Sequence, residues 1–265
     1  MGVFGLFEKK KRKVTLVLGG GSARGLAHIG VLGVLKEKGI PIDNIVGTSM
    51  GALVGASYSV GMSLKEMYDI AENFTMNQLL DPTIPRMGLL AGKKLETMIK
   101  ILTQSKGFKD CKIPLSIVTT DIQNGEDVIF HEGDLVKTLQ ASCSWPGIFN
   151  PVTIGGRMLV DGGVKNSVPT NIARALGADY VLAVDVGFCV KVGKIENIFQ
   201  MILQSFQIMG EELNQYQSKG ADFTIKVDLG NLDQTSFDRA HEAMMKGAAA
   251  AMEKIPAIRK DLGIA

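Results

Sequence analysis

The chain has 265 residues, of which 46% are hydrophobic and 21% are charged, and these proportions exclude a disordered chain. Residues 1–13 carry a formal charge of +4, which leaves −2 for residues 14–265 out of the total of +2. The net negative charge of residues 14–265 excludes a basic nucleic-acid-binding surface there. The 31 glycines and the aromatic content of 6% favour an α/β protein over an all-β sandwich.

Strands and helices are predicted to alternate along the chain. The predicted strands are residues 14–18, 44–47, 114–121, 127–131, 152–154, 157–160, 180–186 and 223–229. The predicted helices are residues 24–38, 52–60, 64–74, 94–102, 135–142, 169–176, 195–216, 238–254 and 256–262. Because no linker interrupts this order, we expect a tail at 1–13 and a single domain at 14–265. The predicted fold is a three-layer α/β/α arrangement with a mainly parallel central sheet.

The predicted helix 195–216 has apolar residues at helical spacing. Packing of this apolar stripe into the core is the favoured interpretation, and a seam between two copies of the chain, a homodimer, is the alternative. Methionines on this helix and on the last long helix are candidates to line a pocket for an acyl chain: Met201, Met209, Met244 and Met245. Residues 75–93 are rich enough in proline and glycine to form a lid.

Signals for metals, cofactors and membrane crossing are weak in this sequence. Cys111, Cys143 and Cys189 are widely spaced and form no pair with zinc-site spacing, so we expect no metal, no cofactor and a reducing compartment. No apolar run reaches the ~18 residues of a transmembrane helix. The apolar residues of the tail precede its basic cluster, which reverses the order of a secretory signal. We therefore expect a cytoplasmic protein.

The tail offers one further hypothesis. Phe4, Leu6 and Phe7 stand beside the basic residues 9–13, a combination that can seat on an anionic membrane surface. Peripheral contact with the inner face of a membrane through residues 3–13 is therefore one interpretation. A solvated tail is the favoured one.

The sequence Gly47-Thr48-Ser49-Met50-Gly51 matches G-x-S-x-G, the nucleophile elbow. In this motif a sharp turn from strand to helix forces the serine outward, and the flanking residues must be tiny because the backbone nearly folds on itself. A predicted strand precedes Ser49 and a helix of small residues follows it, so the context fits. The alternative is a glycine-rich packing turn with a buried serine.

A second glycine-rich turn, residues 19–25, also lies between a predicted strand and a helix. It does not match the dinucleotide-binding pattern G-x-G-x-x-G, because the third glycine would fall at Arg24. The other interpretation is an oxyanion hole, in which backbone N–H groups stabilise the charge of a tetrahedral intermediate. Arg24 is a candidate to fix this loop. A tight turn without a ligand is the alternative.

Asp161 ends a predicted strand and is followed by Gly162 and Gly163. Two glycines leave the carboxylate sterically open, which suits a catalytic position next to another loop. An Asx turn without a catalytic role is the alternative and, taken by itself, the commoner one.

Taken together, four segments resemble the bacterial patatin-like phospholipases. They are GGSARGLAHIGVL (20–32), GTSMGA (47–52), ASCSWPGIFNPV (141–152) and DGG (161–163). The resemblance covers residues 14–188. The glycine loop departs from the family pattern at Ser22, where the family usually has a third glycine.

This resemblance implies an acyl hydrolase for lipid or fatty-acyl esters that uses two catalytic residues. Ser49 would be the nucleophile and Asp161 the general base, and an acyl-enzyme would form on Ser49. The resemblance places the oxyanion hole at Gly20, Gly21 and Ser22, with supporting positions at Arg24, Gly47, Gly51 and Gly162. Because an ordinary aspartate pKa of about 3.9 is too low for an efficient base, we expect Asp161 to be partly desolvated.

Several alternatives stay open. An acyltransferase or thioesterase would use the same acyl-enzyme, and a lipid-binding regulatory protein would keep the site without the chemistry. A triad of Ser49, Asp185 and His241 would follow the chain order of α/β-hydrolases. Of the other histidines, we expect His28 to be structural and His131 to lie at the surface.

Overall fold

The computed structural model of the protein describes residues 12–84, 87–188, 190 and 195–264. Its strands are β1 (Val14–Leu18), β2 (Asn44–Thr48), β3 (Gly88–Leu90), β4 (Leu115–Asp121), β5 (Glu126–Phe130), β6 (Gly147–Phe149), β7 (Val152–Ile154), β8 (Arg157–Asp161), β9 (Tyr180–Asp185) and β10 (Phe223–Lys226). Its α-helices are α1 (Ala27–Glu37), α2 (Met50–Ser59), α3 (Leu64–Glu72), α4 (Lys93–Leu102), α5 (Leu135–Ser142), α6 (Thr170–Ala175), α7 (Ile198–Gln217) and α8 (Ala240–Leu262).

The central sheet has the order β10-β9-β1-β2-β4-β8-β7, with β5 also paired to β4. The pairs from β10 to β4 are parallel, and those of β4 with β5 and β8 are antiparallel. Side chains of β1 alternate between the two faces: Leu16 and Leu18 join one buried cluster, and Val17 joins another on the opposite face. Helices cover both faces, which confirms the predicted α/β fold with a mainly parallel sheet.

Two strands meet head to head beside β4, and this junction positions the site. β2 runs parallel to β4 and ends with Thr48 opposite Val118. β8 runs antiparallel along the same edge of β4 and ends with Asp161 opposite Thr119, the next residue. The end of β2 and the end of β8 therefore face each other.

Helix α7 packs with its polar side inward. Gln207 and Asn214 are buried, and the Nδ2 group of Asn214 donates to Asp185 Oδ1 at 3.0 Å. The Oε2 atom of Glu211 accepts from the N–H of Phe188 at 2.9 Å. Large apolar side chains face outward instead: Ile198, Met201, Ile202, Ile208, Met209 and Tyr216. The favoured prediction of core packing for this stripe was wrong, because buried hydrogen-bonding partners determine which side of the helix faces inward.

Helix α8 continues through Pro256, where the sequence predicts two separate helices. Ala251 and Ile255 before the proline are buried, and so is Ile258 after it. Continuous packing on one face holds the helix on both sides of the missing N–H group.

The structure also contains a small second sheet that the sequence analysis did not predict. β3 and β6 pair in parallel, with Gly88 opposite Gly147 and Leu90 opposite Phe149. β3 lies in the segment 75–93, interpreted as a lid, and β6 lies in the quoted segment 141–152. Each strand has three residues, too few for an alternating pattern to be detected. The last strand, β10, ends at Lys226 and is shorter than the predicted strand 223–229.

The N-terminal tail lies mostly outside the described residues, which begin at Arg12. The guanidinium of Arg12 stands over the ring of Tyr180 and donates to the carbonyl oxygen of Asp261. The membrane contact of residues 3–13 and the homodimer stay predictions. Of the described helices, none has both the length and the hydropathy needed to cross a membrane.

Candidate active site

Ser49 occupies the turn between β2 and α2 in a strained conformation, with φ 54° and ψ −126°. A positive φ is costly for a residue with a side chain, and such strain is concentrated at functional sites. The flanking glycines have no space for a side chain. A Cβ atom on Gly47 would lie 2.5 Å from the Cα of Ala52, and one on Gly51 would lie 2.2 Å from the carbonyl oxygen of Leu18. The sequence predicts this nucleophile-elbow geometry.

Asp161 contacts the serine directly. The Oγ atom of Ser49 donates to Asp161 Oδ2 at 2.5 Å, and the N–H of Gly163 donates to Asp161 Oδ1 at 2.7 Å. Desolvation raises the pKa of Asp161 from 3.8 to about 6, although both hydrogen bonds act to lower it. Gly162 permits the close approach, because a Cβ atom there would lie 2.5 Å from the carbonyl oxygen of Val118. The carboxylate therefore has both the position and the basicity to take a proton from Ser49.

Ser142 is a site residue that the sequence analysis missed. Its Oγ atom accepts from the N–H of Ser49 at 2.9 Å and donates to the carbonyl oxygen of Val118 at 2.8 Å. This buried hydroxyl ties the strained turn to β4. Ser142 lies in the quoted segment 141–152, but its contact with the elbow depends on tertiary packing.

The glycine loop lies beside the elbow, and its N–H groups differ from the prediction in one respect. The N–H of Gly20 donates to the carbonyl oxygen of Ser167 at 2.9 Å, so it is not available to an oxyanion. The N–H groups of Gly21 and Ser22 have no hydrogen-bond acceptor among the described residues. Ser22 has a positive φ of 51°. The open donors of this loop are therefore Gly21 and Ser22.

Arg24, the residue predicted to fix the glycine loop, makes hydrogen bonds to neighbouring carbonyl groups. Its buried guanidinium donates to the carbonyl oxygens of Val186 at 2.9 Å, Gly187 at 3.0 Å and Leu232 at 2.5 Å. These acceptors follow β9 and β10, so one side chain joins the loop after β1 to the loops after two neighbouring strands.

In the described part of the chain, no histidine is hydrogen-bonded to Ser49 or Asp161. His28 is fully buried and donates from Nε2 to the carbonyl oxygen of Gly19 at 2.8 Å, and burial lowers its pKa to about 4. His131 is exposed. His241 contacts Tyr68 and Glu72 on α3. Asp185 instead bonds Asn214, so the alternative triad is not assembled.

Comparison with known proteins shows the family of this chain. A family model described as patatin-like phospholipase matches residues 16–174, more than half of the chain. The chain belongs to the patatin-like phospholipase family. An uncharacterized NTE family protein of Mycobacterium tuberculosis is 36% identical over 177 residues, which cover 66% of this chain and 49% of the relative. Patatin-like phospholipase domain-containing protein 6 of Homo sapiens is 37% identical over 182 residues, covering 66% and 13%.

This patatin-like chain thus spans about half the length of its mycobacterial relative and less of the human one. Among solved structures, VipD from Legionella pneumophila superposes with a TM-score of 0.67 at 14% identity, over 93% of this chain and 67% of VipD. The type III effector protein ExoU gives 0.52 at 16% identity, over 94% and 53%. At these identities the likeness shows the fold.

Two cavities of this patatin-like fold meet at Ser49 and Asp161. The first cavity, called the first arm, has a volume of about 920 Å³ including its opening to solvent. It is lined mainly by apolar side chains of α2, α3 and α4, including Leu53, Met67 and Met98. The second arm, about 750 Å³, lies under α7. Both are lined by Ser22, Ser49, Trp145 and Asp161.

The methionines predicted to line an acyl pocket do not form one surface. Met209 lines the second arm. Met244 is buried in the core, and Met201 and Met245 are exposed. The apolar lining of the first arm comes from the short helices α2–α4. The apolar residues of each helix, taken alone, do not predict a cavity.

Neither a cysteine nucleophile nor a metal centre is indicated around the pair. Cys143 lines the first arm, and burial raises the pKa of its thiol, with the charge of Asp161 adding to the effect. The thiol is therefore held in its less reactive neutral form. Among the described residues, no group of three His, Cys, Asp or Glu side chains could hold a metal ion.

Proposed function

We propose that this protein hydrolyses carboxylic esters of lipid acyl chains, with Ser49 as the nucleophile and Asp161 as the general base. The observation that carries the proposal is the 2.5 Å hydrogen bond from Ser49 Oγ to Asp161 Oδ2. A strained serine, a carboxylate of raised pKa and two open N–H groups lie together at the junction of two apolar cavities. We also propose that residues 14–265 act as one catalytic unit.

The reaction begins with proton transfer from Ser49 Oγ to Asp161 while Oγ bonds to the ester carbonyl carbon. The carbonyl oxygen gains the negative charge and accepts from the N–H groups of Gly21 and Ser22. When the tetrahedral intermediate collapses, the alcohol oxygen leaves with the proton from Asp161. An acyl group then remains on Ser49.

Deacylation uses the same residues with water as the nucleophile. Asp161 takes a proton from water as its oxygen bonds to the acyl carbon. Collapse of the second intermediate releases the carboxylic acid, and Ser49 Oγ regains a proton from Asp161. The apolar first arm holds the acyl chain throughout, because its lining offers hydrocarbon contacts from three helices.

Hydrolysis of p-nitrophenyl butyrate tests the proposal. Ser49→Ala is expected to lower kcat by about 10⁴-fold or more, since the nucleophile is lost. His241→Ala is the control and retains the wild-type rate, because His241 lies on α8 away from the pair. Activity of Ser49→Ala above a hundredth of wild type would contradict the assignment, as would a large loss in His241→Ala. An added alcohol separates hydrolysis from acyl transfer. Hydrolysis releases the free acid, whereas acyl transfer gives the ester of the added alcohol.

A further inference from the structure

The second arm has an apolar wall built by one helix and one loop. Phe206, Met209 and Leu213 line it from α7, and Phe188 lines it from the segment after β9. Because the polar side of α7 faces inward, Phe206 and Leu213 are only half-buried, and Met209 is exposed at the edge of the arm. The wall offers hydrocarbon contact to a ligand that reaches Ser49.

Two buried polar groups in the same arm lack partners. Ser167 Oγ and Gln234 Nε2 have no hydrogen-bond partner in the part of the chain that the structure describes. Both residues are buried and line the arm. The Oε1 atom of Gln234 accepts from Gln207 Nε2 at 2.8 Å, which leaves Nε2 as its open donor. Buried polar groups without partners are costly, so a ligand oxygen that reaches these two would relieve that cost.

The charge of the site narrows the ligand. Among the described residues, neither arm is lined by a lysine, an arginine or a histidine. An anionic group in the second arm would therefore be desolvated without a counter-ion. A neutral oxygen, such as an ester carbonyl, matches the two open groups without this cost.

We propose that the second arm binds the second acyl ester of a two-chain glycerolipid while the first arm holds the scissile chain. This rests on the proposed function. The carbonyl oxygen of the second ester accepts from Gln234 Nε2 and Ser167 Oγ, and its chain lies along Phe206, Met209 and Leu213. Ser167 and Gln234 are thus positioning residues that select lipids with two esters.

Three substrates in the same detergent micelles separate these contacts. They are 1,2-dioctanoylglycerol, 1-octanoyl-2-O-octylglycerol, which keeps the second chain but lacks its carbonyl, and 1-octanoylglycerol. For wild type, kcat/KM is expected to fall in this order. From the diester to the ether analogue, loss of a hydrogen bond predicts a fall in kcat/KM of about 3- to 10-fold. From the ether analogue to the monoester, loss of chain burial predicts a further fall of at least about tenfold.

Variants test the residues through ratios measured within each protein. The first ratio is kcat/KM for 1,2-dioctanoylglycerol divided by kcat/KM for 1-octanoyl-2-O-octylglycerol. Ser167→Ala combined with Gln234→Met is expected to reduce this ratio to about one. Ser167→Ala alone, which breaks no side-chain hydrogen bond, is expected to lower it. Leu213→Trp, which fills the arm, is expected to bring both two-chain substrates to the monoester rate. The matched control is Ile208→Trp, an exposed position on the same helix, which leaves both ratios unchanged.

Equal kcat/KM for the three substrates in wild type would overturn the inference, and so would unchanged ratios in both the Ser167/Gln234 pair and Leu213→Trp. Hydrolysis of p-nitrophenyl butyrate by wild type, with its loss in Ser49→Ala, keeps the proposed function intact in either case. If folded wild type does not hydrolyse this soluble ester, it is the proposed function that fails.

Discussion

The glycine loop and the nucleophile elbow each contain a serine with a positive φ, but one turn exposes a backbone N–H group and the other a side chain. Ser22 and Ser49 each follow a buried strand and have φ values of 51° and 54°. At Ser49 the N–H is tied to Ser142, and the hydroxyl reaches Asp161. At Ser22 the N–H is open, and the hydroxyl has no hydrogen bond among the described residues. Similar strain thus presents a side chain in one turn and the backbone in the other.

The largest effect that separates the two turns is expected at Gly21. A Cβ atom there would lie 2.5 Å from Val186 Cγ2, so Gly21→Ala displaces the open N–H groups. We expect kcat for p-nitrophenyl butyrate to fall about 100-fold, as for a lost oxyanion donor. Gly20→Ala is the control, because its Cβ atom makes ordinary contacts of 3.5 Å and its N–H is already bonded. A smaller loss of kcat in Gly21→Ala than in Gly20→Ala would contradict an oxyanion hole formed by the N–H groups of Gly21 and Ser22.

A smaller effect is expected when the elbow loses its backbone anchor. Ser142→Ala removes the acceptor of the Ser49 N–H and the bond to the carbonyl oxygen of Val118. We expect kcat to fall about tenfold and the free energy of unfolding to fall by about 1–3 kcal/mol, the cost of unsatisfied buried groups. Ser144→Ala serves as the comparison in both measurements, because the Ser144 hydroxyl donates to the carbonyl oxygen of Gln140 and not to the elbow. If the two variants have equal rates, Ser142 does not position the nucleophile.

The smallest effect is expected at Ser22, if only its backbone acts. Ser22→Ala and Ser22→Gly both keep the N–H, so kcat is expected to stay within about threefold of wild type. Because glycine adopts a positive φ without strain, Ser22→Gly is expected to exceed Ser22→Ala in unfolding free energy by about 1 kcal/mol. Chemical denaturation of the two variants checks this difference. A loss in Ser22→Ala as large as that in Gly21→Ala would show that the hydroxyl takes part.

The sequence analysis anticipated what depends on local geometry. A buried strand, a tight turn and a helix of small residues determine the elbow, so Ser49, Gly47 and Gly51 could be placed from their order alone. The position of Asp161 at a strand end was also predicted. Its meeting with Ser49 depends on the register of β2 and β8 along β4, which the resemblance implied but the pattern of residues does not contain.

The features that were missed depend on distant partners. The apolar stripe of α7 was detected, but Gln207 and Asn214 turn the opposite side inward through bonds to Gln234 and Asp185. The carbonyl oxygen of Ser167 accepts a hydrogen bond from the N–H of Gly20, 147 residues away in the sequence. No local pattern predicts such pairings, because hydrophobic periodicity defines a face and not its direction.

The central claim, that Asp161 activates Ser49 without a histidine, is tested most directly by the pH dependence of Ser49 labelling with a fluorophosphonate ester. Because the pKa of Asp161 is raised to about 6, its carboxylate form appears as the pH rises through that value, and the labelling rate should rise with it and then level off. Peptide mapping should place the adduct on Ser49, and Asp161→Asn should abolish the rise. Labelling that is independent of pH between 4.5 and 8, or that persists in Asp161→Asn, would contradict the account.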